Sequence, residues 1–364
     1  MTQLLSHNHK VNPEMVTVAR ESRGLTQSEL AEKLEVSQGL LSKAEAGISP
    51  IGPALLQGLS RELRYPEEFF LQPDQVYGPS MSEFFHRKRA STSARALAQL
   101  HAQINIRRIH AERLLRSADP VECRIPRLDP DYFNGSAAEV ARAVRASFQL
   151  PRGPVKNVVD VLEDAGGLVF RWRFPSTKID AVSWWVPGLP PIFVINADIP
   201  ADRARYTLCH ELGHVVMHQA MRPEMEQEAD EFAAEFLMPA LDIAPHLQGL
   251  DSLQKLTTLK PYWKVSLHAL VKRAGDLNLI PEGRERYLFI QLGKAGYRTR
   301  EPPELDFPHE EPTAVSELLE LHTNELNYSM EQLGKLLTML PEELHQEYGV
   351  RPAADDRMPL RIVK

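Results

Sequence analysis

The apolar positions change period several times along the chain, and each change marks an element. Between residues 11 and 72, short stretches with apolar residues three or four apart alternate with turn signals, the pattern of a bundle of short helices. Thr26 followed by Glu29 makes a capping-box start for a helix ending near Leu34. Ser37 caps the next, "QGLLSKAEAG", which stops at Gly47, and "PIGPALLQGLSRELRYPEEFF" supplies one more helix and a short turn. Residues 82–118 form one long helical pattern with Leu97, Leu100, Ile104, Ile109 and Leu114 apolar, and Pro120, Pro126 and Pro130 break it.

From about residue 130 the pattern is mixed. "SAAEVARAVRASFQL" predicts a helix, and "GPVKNVVDVLEDAGG" a second one closed by Gly166 and Gly167. "LVFRWRF", "IDAVSWWV" and "PPIFVINAD" are rich in β-branched and aromatic residues between Pro and Gly, and predict three strands. Ile192 to Asn196 is the candidate for a sheet edge that binds an extended peptide, with a central strand as the alternative. Helices follow from about Ala201 and over Met225 to Leu237, ending at Pro239. Helical patterns continue to about residue 278, "GRERYLFIQLG" reads as a late strand, and "REPPELDFPHEEP" as a linker to a final helical segment at 312–350. There "NYSMEQLGKLLTMLPEEL" echoes the layout of "GLTQSELAEKLEVSQGLL", as a repeat or as a generic helical hairpin.

Composition narrows the class. With 364 residues, 43% apolar and 25% charged, the chain has ordinary globular composition and length for two or three domains. Its apolar runs are far short of a membrane span, and its start lacks the basic and apolar regions of a signal peptide. The 2 cysteines, Cys123 and Cys209, build no disulfide framework, so a soluble cytoplasmic protein with no membrane partner is expected. The net charge of −7 is unevenly spread. Between His86 and Arg116 there are eight Lys or Arg against one acid, whereas Glu301 to Lys364 holds fourteen acids against five bases. The basic segment fits phosphate or an acidic partner, or else an internal partnership with the acidic tail.

The candidate chemistry lies in "CHELGHVVMH". Residues four apart on a helix differ by about 40° and one 5.4 Å turn, so His210 and His214 share a side and can share an ion. Glu211 then reaches a water held by that ion, while Leu208, Leu212, Val215 and Val216 keep an apolar stripe for packing. Catalytic zinc usually takes three protein ligands and leaves one position for water. A third is to be sought in "EMEQEADEFAAEFLMP", where Glu226, Glu228, Asp230 and Glu231 crowd one and a half turns. Tyr206, His218, Tyr262 and His268 are candidates to stabilise an oxyanion, His218 reading more simply as a surface or helix-end residue. Cys209 points away and reads as a small core residue.

"RYTLCHELGHVVMH" followed by "EQEADEFAAEFLMP" resembles the ImmA/IrrE family of gluzincin-like zinc metallo-endopeptidases over roughly residues 150–280. The resemblance implies zinc held by His210, His214 and Glu226, Glu211 as catalytic base, and Asp230 bracing from behind. Glu228 competes with Glu226 as third ligand, two positions along and some 200° around the helix.

"RESRGLTQSELAEKLEVSQGLLSKAEAG" resembles the Cro/repressor-type (XRE) helix-turn-helix family over about residues 14–70. It implies Gln38, Ser42 and Lys43 as base readers in the major groove, and Gln27 as a phosphate or base contact. From Val11 to Gln72, however, nine acids outnumber six bases, so such a module should bind DNA weakly or as a homodimer, or bind a protein instead.

The expected architecture is multidomain and mainly α with an α+β core. It comprises a helix-turn-helix at 11–72, a basic helical linker at 82–118, a zinc peptidase domain with a small sheet at 130–295, and a helical segment at 312–350. The expected function is zinc-dependent cleavage of a regulatory protein, a helix-turn-helix repressor or an antitoxin, with operator DNA as a second partner. The alternative is a transcriptional regulator or antitoxin whose zinc domain senses or stabilises without proteolysis.

Overall fold

The computed structural model describes residues 10–79, 93–118, 122–298 and 300–349, and the basic residues Arg87, Lys88 and Arg89 lie outside them. Two compact units result. One takes residues up to 78 together with 93–118 and 315–349, and the other takes 122–314.

The first unit begins with α1 (Pro13–Ser22), α2 (Gln27–Lys33), α3 (Gln38–Glu45) and α4 (Pro53–Leu63). The capping box at α2 is complete: the Thr26 hydroxyl accepts from the Glu29 N–H, and Glu29 accepts from the Thr26 N–H. Ser37 caps α3 by accepting from the Leu40 N–H at 3.2 Å. The core of Met15, Val16, Leu30, Leu41, Leu59 and Phe69 is closed by Ile106 and Ile109 from α5 (Ala94–Leu115), the described part of the long helical pattern. This helix is therefore a wall of the unit. Its charges are paired within the unit, Arg95 with Glu29, Arg108 with Glu112 and Arg113 with Asp74.

The second unit holds α6 (Ala137–Ser147), α7 (Val158–Asp164) and a three-stranded sheet of β1 (Leu168–Trp172), β2 (Ala181–Trp184) and β3 (Ile192–Asn196). The order is β1-β3-β2, with β1 parallel and β2 antiparallel to β3. This corrects the expectation of an edge at Ile192–Asn196: β3 is central, and all five of its residues are buried, which suits its unbroken apolar run. The strand leads into α8 (Ala201–Met217), which packs on β2 and on α9 (Met225–Leu237). Then come α10 (Ala240–Leu247), α11 (Leu253–Trp263), α12 (Leu267–Asp276) and α13 (Glu282–Lys294). The last corrects the late strand expected in "GRERYLFIQLG". Leu288 and Leu292, one helical turn apart, are the buried pair, so a 3.6-residue period wins over local β preference.

The proline- and acid-rich stretch after α13 is docked instead of acting as a free linker. Glu301 accepts from the Lys260 ammonium and from the Leu267 N–H, both at the α11–α12 corner. Glu310 accepts from the Val158 N–H at 2.7 Å at the start of α7 and pairs with Arg205 on α8. Glu163 takes the N–H groups of Thr313 and Ala314. Each carboxylate meets an orphan helix N–H or a buried cation, so the segment is held by charge where it has little apolar surface to bury.

The chain returns to the first unit through α14 (Ala314–Glu320), α15 (Met330–Leu337) and α16 (Pro341–Tyr348). The α15–α16 hairpin repeats the α2–α3 turn position by position. Ser329 and Gln332 form a second capping box, as Thr26 and Glu29 do. Thr338 at φ 50° occupies the left-handed place of Glu35 at φ 56°, nine residues after the cap in each. Met339 N–H donates to Gly334 as Val36 N–H does to Ala31. α16 carries Glu343 and Glu347, which pair with Arg23 and with Arg107 of α5, so basic α5 and the acidic tail meet within one unit.

Two predictions follow from these buried groups. Glu310→Ala leaves Arg205, whose side chain is 2% exposed, without its carboxylate, and should cost about 3–5 kcal/mol in chemical denaturation. His110, edge-on to the Tyr348 ring, is pushed by burial and by Arg113 and Arg107 from 6.5 down to about 3. Between those values the unfolded chain binds a proton that the folded chain refuses, so stability falls as pH drops from 6.5 towards 3. His110→Gln should flatten that part of the pH–stability profile.

Candidate metal centre and nucleic-acid face

His210 and His214 stand one turn apart on α8 with their Nε2 atoms 3.0 Å from each other. Glu226 of α9 brings Oε1 to 3.3 Å from the His214 Nε2, and the three ligand atoms lie within 4.8 Å of one another. Two atoms bound at 2.0–2.1 Å to one tetrahedral ion would sit about 3.3 Å apart. Two imidazole nitrogens and a carboxylate oxygen at these spacings therefore fit a zinc-type ion. The back of the His210 ring agrees: its Nδ1 meets Asp230 Oδ1 at 2.9 Å, which makes Nδ1 the protonated nitrogen and leaves the Nε2 lone pair facing the site. Burial opposes a charge on His210, but the hydrogen bond to Asp230 and the carboxylates of Glu211 and Glu226 outweigh it and raise its pKa. The site attracts positive charge.

The acid-rich face of α9 is addressed residue by residue. Glu226 faces His214, Asp230 faces His210, Glu231 accepts from the Ala138 N–H at the start of α6, and Glu235 pairs with Arg273 and Arg142. Glu228, the competing third ligand, instead meets His218 Nε2 at 2.9 Å. What brings the two helices this close is Gly213. A Cβ there would stand 3.2 Å from the Phe232 ring and 3.3 Å from the Ala229 Cα.

Glu211 is buried at 3% exposure, and its Oε2 accepts from the Ser183 hydroxyl of β2 at 2.6 Å. Sequence spacing offered no route to Ser183, since strand–helix packing alone joins them. His218 is the other surprise. It ends α8 and turns back beneath His214, Nδ1 to Nδ1 at 2.9 Å, with a fully buried side chain. Burial, with His214 and Arg222 nearby, pushes its pKa down to about 3, so the ring is neutral. Cys209 is fully buried, and burial raises its thiol to about 12.

On the first unit, Gln38 at the start of α3 donates to the Gln27 Oε1 at 2.9 Å, and Gln27 donates to Glu45 at 2.8 Å. Arg20 donates to the same Glu45 carboxylate at 2.6 Å. Gln27 and Gln38 are thus held side by side at two helix starts, with Lys43 exposed and Ser42 half-buried further along α3. Nothing lies within 4 Å of where a Gly39 Cβ would stand, so this face is open.

Residues 162–274 match the IrrE N-terminal-like domain, a peptidase family, and residues 18–70 match a helix-turn-helix family. The chain joins a DNA-binding-type domain to a peptidase-type domain. No curated protein matches it.

The matched residues 162–274 include both helices of the candidate centre and Ser183. Asp230, the partner of His210, lines a cleft of about 1610 Å³ together with Tyr206 and Gln227. Of the four candidate oxyanion stabilisers, Tyr206 and His268 line this cleft. Tyr206 donates to the Asp230 carbonyl at 3.1 Å, and burial raises its pKa. Tyr262 instead stacks on His246, and His218 is occupied behind His214. Gly213→Val tests the helix approach: it should cost about 1–3 kcal/mol and weaken metal uptake, because Glu226 is pushed away while both histidines remain. Metal analysis by mass spectrometry after dialysis reads the result.

Proposed function

We propose that this chain is a gluzincin-type zinc endopeptidase that cleaves a regulatory protein, a helix-turn-helix repressor or an antitoxin, and so controls transcription. The observation that carries the reading is the clustering of His210, His214 and Glu226 within 4.8 Å beside the buried Glu211. Zinc held there would supply Lewis acidity and a water acidified towards a pKa of about 7. Glu211 would accept the proton of the attacking water and return it to the leaving amine. Ser183 would keep the Glu211 carboxylate in place, and Asp230 would hold the His210 ring. Of the four candidates, Tyr206 and His268 line the cleft, and either would donate to a developing oxyanion.

With β3 central, β2 is the end strand lying against α8, and an extended peptide would add along its outer edge. The helix-turn-helix would read operator DNA through Gln38, Ser42 and Lys43, with Gln27 braced by Glu45 at the phosphates. Pairing of two copies would supply the phosphate contacts that one acidic module lacks. Such a target places the protein in the cytoplasm.

Glu211→Gln tests the mechanism in co-expression with regulators encoded beside it. Zinc should stay bound while target cleavage falls by about 10²–10⁴-fold. Cleavage at the wild-type rate would overturn the role of Glu211. Sequence-specific DNA binding with no target cut by the wild type would favour a sensor.

A further inference from the structure

The Glu228–His218 pair lies behind His214, away from the reacting face, and the proposed mechanism does not use it. His218 leaves the helix at φ −106° and ψ 88°, which carries its ring back under the preceding turn. Its Nδ1 stands 2.9 Å from the His214 Nδ1, and its Nε2 stands 2.9 Å from the Glu228 Oε2. Burial pushes the Glu228 carboxyl above its usual range, and Arg222, 3.9 Å from its other oxygen, opposes that shift.

With the His214 Nε2 turned to the metal site as a ligand atom, these contacts leave one arrangement of protons. Two Nδ1 atoms at hydrogen-bond distance need a single proton between them. A carboxylate only accepts, so His218 must place its own N–H on Nε2, towards Glu228. A neutral ring has one N–H, so His218 Nδ1 is then the acceptor, and His214 must carry the proton on its own Nδ1. That leaves the His214 Nε2 as a lone pair, and this is the atom that faces His210 and Glu226. The opposite tautomer of His218 would set two lone pairs against each other at Glu228.

We propose that Glu228 and His218 are positioning residues that fix the tautomer and ring orientation of the ligand His214. They do for His214 what Asp230 does for His210, through one extra ring. The inference rests on the metal reading above and goes beyond it by assigning work to two residues outside the ligand set. Outer partners of ligand histidines typically change metal affinity about 10–100-fold when removed.

The test uses the full chain with zinc and with cobalt(II) as probes. Zinc affinity is read by competition with a chromogenic chelator, and the cobalt visible bands report the ligand field. His218→Phe and Glu228→Leu should each lower zinc affinity about 10–100-fold and shift the cobalt bands, with far-UV circular dichroism unchanged. Glu228→Gln, whose amide oxygen still accepts from His218, should retain most of the affinity. Unchanged affinity and bands in both His218→Phe and Glu228→Leu would overturn the proposal. So would losses in all three variants that track loss of helical signal. A wild-type chain that takes up neither metal would instead overturn the metal reading itself, and this inference with it.

Discussion

The candidate centre depends on how closely α8 and α9 approach, and that approach depends on an absent side chain. Gly213 lies against the Phe232 ring and the Ala229 Cα, where a Cβ would be in tighter contact than packing normally allows. Because the backbones come this near, short acidic side chains of α9 reach the histidines of α8. Glu226, Glu228 and Asp230 each meet a different ring, His214, His218 and His210 in turn. Glycine inside a helix costs about 1 kcal/mol relative to alanine, and here the cost is offset by Phe232, Ala233 and Phe236 packing beneath the site.

Order outside the two helices serves the same arrangement. β2 supplies Ser183 to the Glu211 carboxylate, and β3 feeds directly into α8. The segment after α13 returns to pin Arg205 of α8 through Glu310 and the α11–α12 corner through Glu301. Lys260, buried between Asp202 of α8 and Glu301, ties these features together. Helix α8 is thus held at its beginning by charge, along its length by the apolar core, and at its end by His218.

What could be read from the sequence was what is local or strongly periodic. His210, Glu211 and His214 sit on one helical turn, so spacing alone places them together, and the helix caps at Thr26 and Ser37 belong to single turns as well. The three strands were legible from composition, but their order was not, because alternation does not say which strand lies between the others. Ser183 escaped, and the contacts of His218 and Glu228 were not legible, because strand–helix and helix–helix packing set them. "YLFIQL" has β-prone residues on a helical period, and "REPPELDFPHEEP" has linker composition although Glu301 and Glu310 are held against Lys260, Arg205 and helix N–H groups.

The most direct measurement of the central claim is X-ray absorption at the zinc edge on the full chain reconstituted with one equivalent of zinc. The account predicts a first shell of light atoms at about 2.0–2.1 Å, with imidazole scattering from two histidines and oxygen from carboxylate and solvent. A sulfur shell at about 2.3 Å, or a single imidazole, would contradict it.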